Sequence, residues 1–266
     1  MGWELIWIPF VVALAASCMG FCKFVYFMSI GYGMAVAAIG VAFGVLSAAG
    51  VFQAGAAHNI LFALLVVYGF RLSGFLLIRE LKNAAYRKTL QQAASDEKRM
   101  PVFVKAAMWI CVAALYVAQT SPVFFRMYNG GAVSALVWVG IAVSAGGLLL
   151  EAVADKQKSA QKAVNPDKVA MAGLYRVVRC PNYLGEIIFW TGLVLSSLDT
   201  LRTAGQWITV AIGYICIIIV MFNGAQRLEK RQMARCGDDP EYRAYADRTP
   251  ILLPLVPIYH LNKKEK

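Results

Sequence analysis

The sequence predicts an all-α integral membrane protein, a bundle of about seven transmembrane helices, and three observations carry the prediction. Of the 266 residues 59% are apolar and only 15% charged, against about half and about a quarter in ordinary soluble domains. The apolar residues gather in runs of about 20, the length that crosses a bilayer as a helix. The basic residues fall between those runs and favour one side of them.

The runs place spans at about 3–20, 25–47, 56–78, 104–122, 132–153, 184–199 and 205–225. The first begins Met-Gly-Trp-Glu and lacks the basic n-region of a signal peptide. Ile6 stands where a myristoylation motif needs Ser or Thr. In the second, Tyr32 lies between Gly31 and Gly33, where the chain tolerates close approach. The third carries Arg71 well inside it, with Tyr68 three residues earlier on the same helix face. The fifth ends on Glu151, with Asp155 one turn on. The sixth is short and opens directly after a Cys-Pro-Asn-Tyr turn, so it is tilted or starts within a polar cavity.

Loop charge sets the expected orientation. Lys23 joins Arg79, Lys82, Arg87, Lys88, Lys98, Arg99 and Lys105, then Lys156, Lys158, Lys162, Lys168, Arg176 and Arg179, then nine more from 227 on. With seven spans these 23 of 26 basic residues share one face, so the N-terminus is expected outside and the C-terminus in the cytoplasm. Arg126 and Arg202 fall on the opposite side. No internal repeat is visible, which disfavours an inverted-repeat transporter. Residues 1–266 read as a single membrane domain. Its last 40 or so residues include Ile251-Leu-Leu-Pro-Leu-Val-Pro-Ile, expected to pack on the bundle or the membrane interface.

The net charge of +11 is spread over short loops, so headgroups and a phosphorylated ligand fit better than nucleic acid. The six cysteines form no CxxC, and most lie in apolar runs as small hydrophobes. With His58 and His260 the only histidines, a histidine-based metal site is disfavoured.

Ionisable groups within spans are costly and usually functional. Arg71, Glu151 and Glu186, the last one turn after Asn182, each admit a bland reading, snorkelling to the interface. A short carboxylate beside an amide, as at Asn182 and Glu186, suggests ligand geometry instead. His58, Asn59, Glu4 and Gln53 are expected to be merely wetted.

One stretch is more specific: Gly173-Leu-Tyr-Arg-Val-Val-Arg-Cys-Pro-Asn-Tyr-Leu-Gly-Glu186. A second comprises Leu228-Glu-Lys-Arg, Pro240-Glu-Tyr-Arg-Ala-Tyr245, Arg248-Thr-Pro and Leu253-Pro. In this order they resemble the C-terminal part of the steroid 5α-reductase family and its bacterial relatives, over roughly residues 150–255. Tyr68-Gly-Phe-Arg71 is similar to that family's Tyr-x-x-Arg.

The resemblance implies an NADPH-dependent reductase of the bacterial inner membrane. It would reduce a C=C bond conjugated to a ketone, as in a 3-oxo-Δ4 steroid, in an apolar lipid or steroid-like substrate entering from the bilayer. The cofactor site would face the cytoplasm. Arg179, Arg227, Arg231 and Lys162 are candidates for the phosphates. Asn182 and Glu186 suit the nicotinamide carboxamide, and Asp155 a ribose hydroxyl. Arg71, Tyr183, Tyr242 and Tyr245 complete the implied cofactor-binding set. No GxGxxG follows a strand, so a Rossmann site is not expected. Tyr68 matches the family's hydrogen-bond donor to the substrate carbonyl. The family's span-two glutamate has no counterpart here, and Tyr32 or Ser29 is left to stand in. Glu151 is a second departure, since some members carry an amide there.

Two rivals remain. Methyltransferases of the isoprenylcysteine carboxyl type also place an Arg-His-Pro-x-Tyr motif before a helix, but the His position here is Cys180. A non-enzymatic carrier fits the cofactor-like polar loops poorly.

Overall fold

The computed structural model describes residues 3–82, 87, 90, 100–130 and 133–262. Lys88, Lys98 and Arg99 of the expected basic loop, the first two residues, and Lys263, Lys264 and Lys266 lie outside them. The described residues form α-helices α1 (Trp7–Ser17), α2 (Ile30–Ala48), α3 (Ala56–Lys82), α4 (Val102–Asn129), α5 (Ala135–Val164), α6 (Pro181–Leu195), α7 (Ala204–Cys236) and α8 (Pro240–Arg248), with short 3₁₀ turns and no strand.

Among the described residues six helical stretches are long and apolar enough to cross a membrane: Glu4–Phe21, α2, α3, α4, α5 and α7. The chain is thus an integral membrane protein by its helices. The stretch expected as a sixth span is α6, of 15 residues. It rises about 22 Å, short of the roughly 30 Å of a hydrocarbon core. Pro181 opens it, at the one helical position where a missing N–H costs nothing.

The chain divides into two compact units, Met1–Ile141 with Leu193–Tyr214, and Ala142–Gly192 with Ile215–Lys266.

In the first unit α2 and α3 meet backbone to backbone. A Cβ on Gly69 would overlap the Gly33 carbonyl, and one on Gly33 would stand 2.7 Å from the Gly69 carbonyl. Small residues allow such contact between membrane helices. At the end of α1, Lys23 donates to Glu80 of α3 and, at 3.0 Å, to the Tyr26 hydroxyl. Tyr26 in turn bonds Glu80 at 2.8 Å. The bond to Glu80, then that to Tyr26, pushes the Lys23 ammonium up to about 12.

α4 runs past the expected end at 122, through Pro122, to a left-handed cap at Gly130 (φ 64°). Proline removes the amide that would bond Ala118. The Ser121 hydroxyl donates to that carbonyl at 2.7 Å instead, so the helix continues.

This corrects the expectation that Arg126 lies in an outer loop. Its side chain is fully buried in α4. It donates to Asp199 Oδ1 at 2.9 Å and to the Ser196 carbonyl at 2.7 Å. Asn129 donates to the Thr200 carbonyl at 2.7 Å and to Gln206 at 2.9 Å. The polar end of the unit is thus satisfied from within. His58, expected to be wetted, is likewise buried, its Nδ1 accepting from Gly55 N at 3.2 Å.

Removing one member of a buried ion pair strands the other's charge. Asp199→Ala is expected to cost about 3 kcal/mol, read as a lower thermal midpoint in detergent. Arg202→Ala, which loses only a bond to the Asn129 carbonyl, serves as the milder comparison.

Candidate active site

In the first unit the Gly33–Gly69 contact brings together the residues one step before each glycine. The Tyr68 hydroxyl donates to the Tyr32 hydroxyl at 3.0 Å. Both rings are buried. They meet edge to face at 6.2 Å, and Tyr116 lies 5.1 Å from Tyr32 on its other side. Of the two residues left open as partners of Tyr68, Ser29 spends its hydroxyl on the Val25 carbonyl at 2.8 Å. Arg71, half-buried, follows Tyr68 by one turn of α3.

In the second unit α5 and α6 cross at Gly147 and Gly185. A Cβ on Gly185 would stand 2.8 Å from both the Gly147 carbonyl and the Glu151 amide. This presses Glu151 against α6 beside Glu186. Glu151, Asp155 and Glu186 are all buried. The snorkelling expected of Glu151 does not occur, because this crossing covers it. Tyr183, the next residue but one before Gly185, rests on α7 at Gly224, where an added Cβ would meet its ring at 3.2 Å.

The loop after α5 is pinned by two glutamines one turn apart. Gln157 Oε1 accepts from Leu174 N at 2.8 Å, and Gln161 Oε1 from Met171 N and Ala172 N at 3.0 Å. Gly173 takes a left-handed φ of 67° on top of Gln157, a conformation that suits glycine. The pinned loop delivers Tyr175 into the unit, where its hydroxyl donates to the Ala154 carbonyl at 3.3 Å. Tyr245 of α8 donates to the Tyr175 carbonyl at 2.6 Å. Burial, then the nearby Asp155, pushes the Tyr175 phenol well up, with Cys180, Tyr245 and Tyr183 adding to it. Asp155, Tyr183 and Tyr245 are thereby gathered around a tyrosine that the sequence reading passed over.

Arg179 is buried. It donates to Glu229 Oε1 at 2.7 Å and to the Tyr259 carbonyl. Glu229 Oε2 accepts from Leu261 N at 2.9 Å, Asn262 N at 3.0 Å and Asn262 Nδ2 at 2.8 Å. Burial raises the Tyr242 phenol, and the facing Arg179 guanidinium opposes the rise. Arg179 thus clasps the C-terminal tail through its Nη2; of the other basic candidates, Arg227 and Arg231 are exposed on α7, and Lys162 is half-buried with Nζ donating to the Pro166 carbonyl at 2.8 Å. A cavity of about 190 Å³ is lined by Asp167, Lys168, Arg235, Cys236 and Tyr242 among others, and by none of those three. That is below the roughly 300–1,000 Å³ of whole ligand sites, so it suits only one end of an elongated ligand.

The Asn182 Oδ1 atom is buried and makes no hydrogen bond among the described residues. A buried amide oxygen without a donor is costly, and a ligand N–H would relieve it.

Two expected outcomes follow from this unit. Glu229→Ala leaves Arg179 buried and uncompensated, a loss of about 3–5 kcal/mol, and frees the tail to limited proteolysis. Glu229→Gln, which keeps an acceptor, is expected to lose less. Cys180 is buried, and that desolvation pushes its thiol up to about 11. Since the thiolate is the nucleophile, Cys180 should resist iodoacetamide at pH 8 and react only as pH rises towards 11 or on unfolding, as mass spectrometry of labelled peptides will show.

Glu229 and Tyr175 were within the quoted motifs, yet nothing in their spacing marked them. Gln157 and Gln161 carried a signal, the i,i+4 spacing of two amides at a helix end.

The family described as "Protein of unknown function (DUF1295)" matches residues 23–249. No curated protein and no solved structure matches the chain.

Proposed function

From the premise that this chain belongs to the DUF1295 family, which is related to the steroid 5α-reductases, we propose that it is an NADPH-dependent membrane reductase of a C=C bond conjugated to a ketone. The substrate class is an apolar lipid of the 3-oxo-Δ4 steroid type. The observation that supports this best is the buried Tyr68–Tyr32 hydroxyl pair, at 3.0 Å, in the position where the resemblance implies a donor to the substrate carbonyl.

The second unit's residues suit the cofactor. The buried Asn182 Oδ1, which makes no hydrogen bond among the described residues, fits a carboxamide NH₂. Glu186, buried one turn later on α6, adds a second acceptor for it. Asp155 fits a ribose hydroxyl, and the exposed Arg227 and Arg231 fit phosphate. When bound, NADPH supplies a hydride to the β-carbon of the enone.

The chain's own part is to stabilise what forms at the oxygen. As enolate charge develops, a phenol pointed at the carbonyl oxygen stabilises it more than it stabilises the neutral ketone, which lowers the barrier. Hydroxyl protons rotate to suit their partners. Tyr68 can therefore turn its donor to the substrate while accepting from Tyr32. That second phenol takes the place of the glutamate that the resemblance implies in span two. A neutral partner leaves Tyr68 uncharged, and a phenol relay can pass a proton without a buried carboxylate.

If α6 is counted as a seventh crossing, the charge bias of the loops supports a cytoplasmic cofactor site, with the N-terminus outside and the C-terminus inside, in the bacterial inner membrane. Protein purified in detergent is expected to consume NADPH with progesterone or testosterone, giving a product heavier by two hydrogens. Tight S-adenosylmethionine binding without NADPH consumption would overturn the reading in favour of a methyltransferase.

A further inference from the structure

The segment after α8 divides sharply. Ile251 and Leu252 are buried at 1%, whereas Leu255 is 100% exposed and Val256 37%. Pro254 and Pro257 flank the exposed pair and are themselves exposed. Leu255 has a φ of 67°, a left-handed conformation that non-glycine residues seldom adopt. A strained backbone that presents a leucine outward needs a reason beyond packing.

The loop is held firmly at its base. Its ends are joined by Ile251 N donating to the Ile258 carbonyl at 2.8 Å. One foot is fixed by Arg179 N donating to Pro250 and Cys180 N to Ile251, each at 2.9 Å. The other is fixed by the Arg179 side chain on Tyr259 and by Glu229 on residues 261 and 262. The prolines stiffen what lies between. Leu255 therefore stays out in place, with few alternatives open to the loop.

The anchor point fixes the depth. Arg179 and Cys180 immediately precede Pro181, where the apolar helix α6 begins. Leu255 lies four steps along the chain from Ile251, a reach of at most about 14 Å. Beside the same anchor, Val177 is 55% exposed and Arg176 is exposed. Arg248 is exposed at the other approach to the loop. Apolar side chains rimmed by cations at the mouth of an apolar helix match the boundary of a bilayer with anionic headgroups.

We propose that the Leu255–Val256 tip, with the exposed Val177 two residues before the loop's anchor at Arg179, is an interfacial anchor that inserts into the headgroup–acyl boundary of an anionic bilayer. The occupant is lipid: a chain already in a bilayer has anionic headgroups at the mouth of its helices, and the exposed Arg176 and Arg248 match them. The anchor would hold the C-terminal tail at the membrane surface. It rests only on the second unit's own geometry and on the chain being a membrane protein, so it stands whether or not the reductase reading does.

The test is a nitroxide at Leu255→Cys in the full chain, in vesicles of phosphatidylethanolamine and phosphatidylglycerol. The background carries Cys18, Cys22, Cys111, Cys216 and Cys236 each changed to Ala, with the buried Cys180 kept. Asp238→Cys, on the exposed turn before α8, is the aqueous reference, and Val177→Cys is the second test position. The expected result is that labels at 255 and 177 relax with oxygen and lose access to a water-soluble nickel chelate, while the label at 238 keeps it. Equal nickel access at 255 and 238 would overturn the proposal. So would low access at 255 to oxygen and to the nickel chelate alike, since a protein contact excludes both whereas the acyl region admits oxygen.

Discussion

Tyr68→Phe is expected to lower turnover by about 10²- to 10³-fold, the cost of losing one donor to a developing oxyanion, with NADPH affinity nearly unchanged. The substitution removes one oxygen and keeps the ring in its buried place between α2 and α3. Tyr32→Phe should give a smaller loss if, as proposed, Tyr32 acts through Tyr68 rather than on the carbonyl. If the two hydroxyls act as a unit, the double variant will fall little further than Tyr68→Phe alone. Steady-state rates and nucleotide binding measured on the same preparations separate the effects. Equal losses of turnover and affinity in Tyr68→Phe would assign the residue to folding or cofactor contact instead.

The second large effect belongs to α6. Glu186→Ala and Asn182→Ala are each expected to weaken NADPH binding by about 10- to 100-fold, the worth of a hydrogen bond that leaves a buried partner unmet when lost. Asn182→Ala carries an informative sign elsewhere. Its Oδ1 is buried without a hydrogen bond among the described residues, so removing it should leave the thermal midpoint of the nucleotide-free protein unchanged or slightly raised. Binding falls while stability does not, which is what separates a ligand residue from a structural one.

Much of the helical plan was legible in composition, since a run of about 20 apolar residues has few alternatives to a membrane helix. The boundaries were less so. Pro122 marked a plausible end for α4, and only the Ser121 hydroxyl on the Ala118 carbonyl explains why the helix runs on. Long-range partners were illegible for the same reason. Arg126 meets Asp199 across 73 residues, and Arg179 meets Glu229 across 50. Each basic residue, taken alone, had the look of a loop cation or a phosphate ligand. Loop charge is a statistical signal about topology and cannot distinguish a solvated arginine from a buried one with an acid beside it.

The candidate site shows the same division. Asn182 and Glu186 stood out through their spacing at a helix start. Tyr68 and Arg71 stood out as polar groups within an apolar run. That Tyr32 rather than Ser29 bonds Tyr68 depends on where α2 touches α3. The glycines at 33 and 69 hold that information, but a glycine is readable as a contact only once its opposite number is known. Tyr175 went unnoticed because a tyrosine in a basic loop resembles surface, and the glutamines that bury it act on the backbone rather than on the side chain.

Equilibrium binding of NADPH and of S-adenosylmethionine to the purified chain, with Glu186→Ala alongside, tests the central claim most directly. The account predicts saturable NADPH binding that Glu186→Ala weakens, and no competition by S-adenosylmethionine. Saturable S-adenosylmethionine binding with no measurable NADPH binding would contradict it.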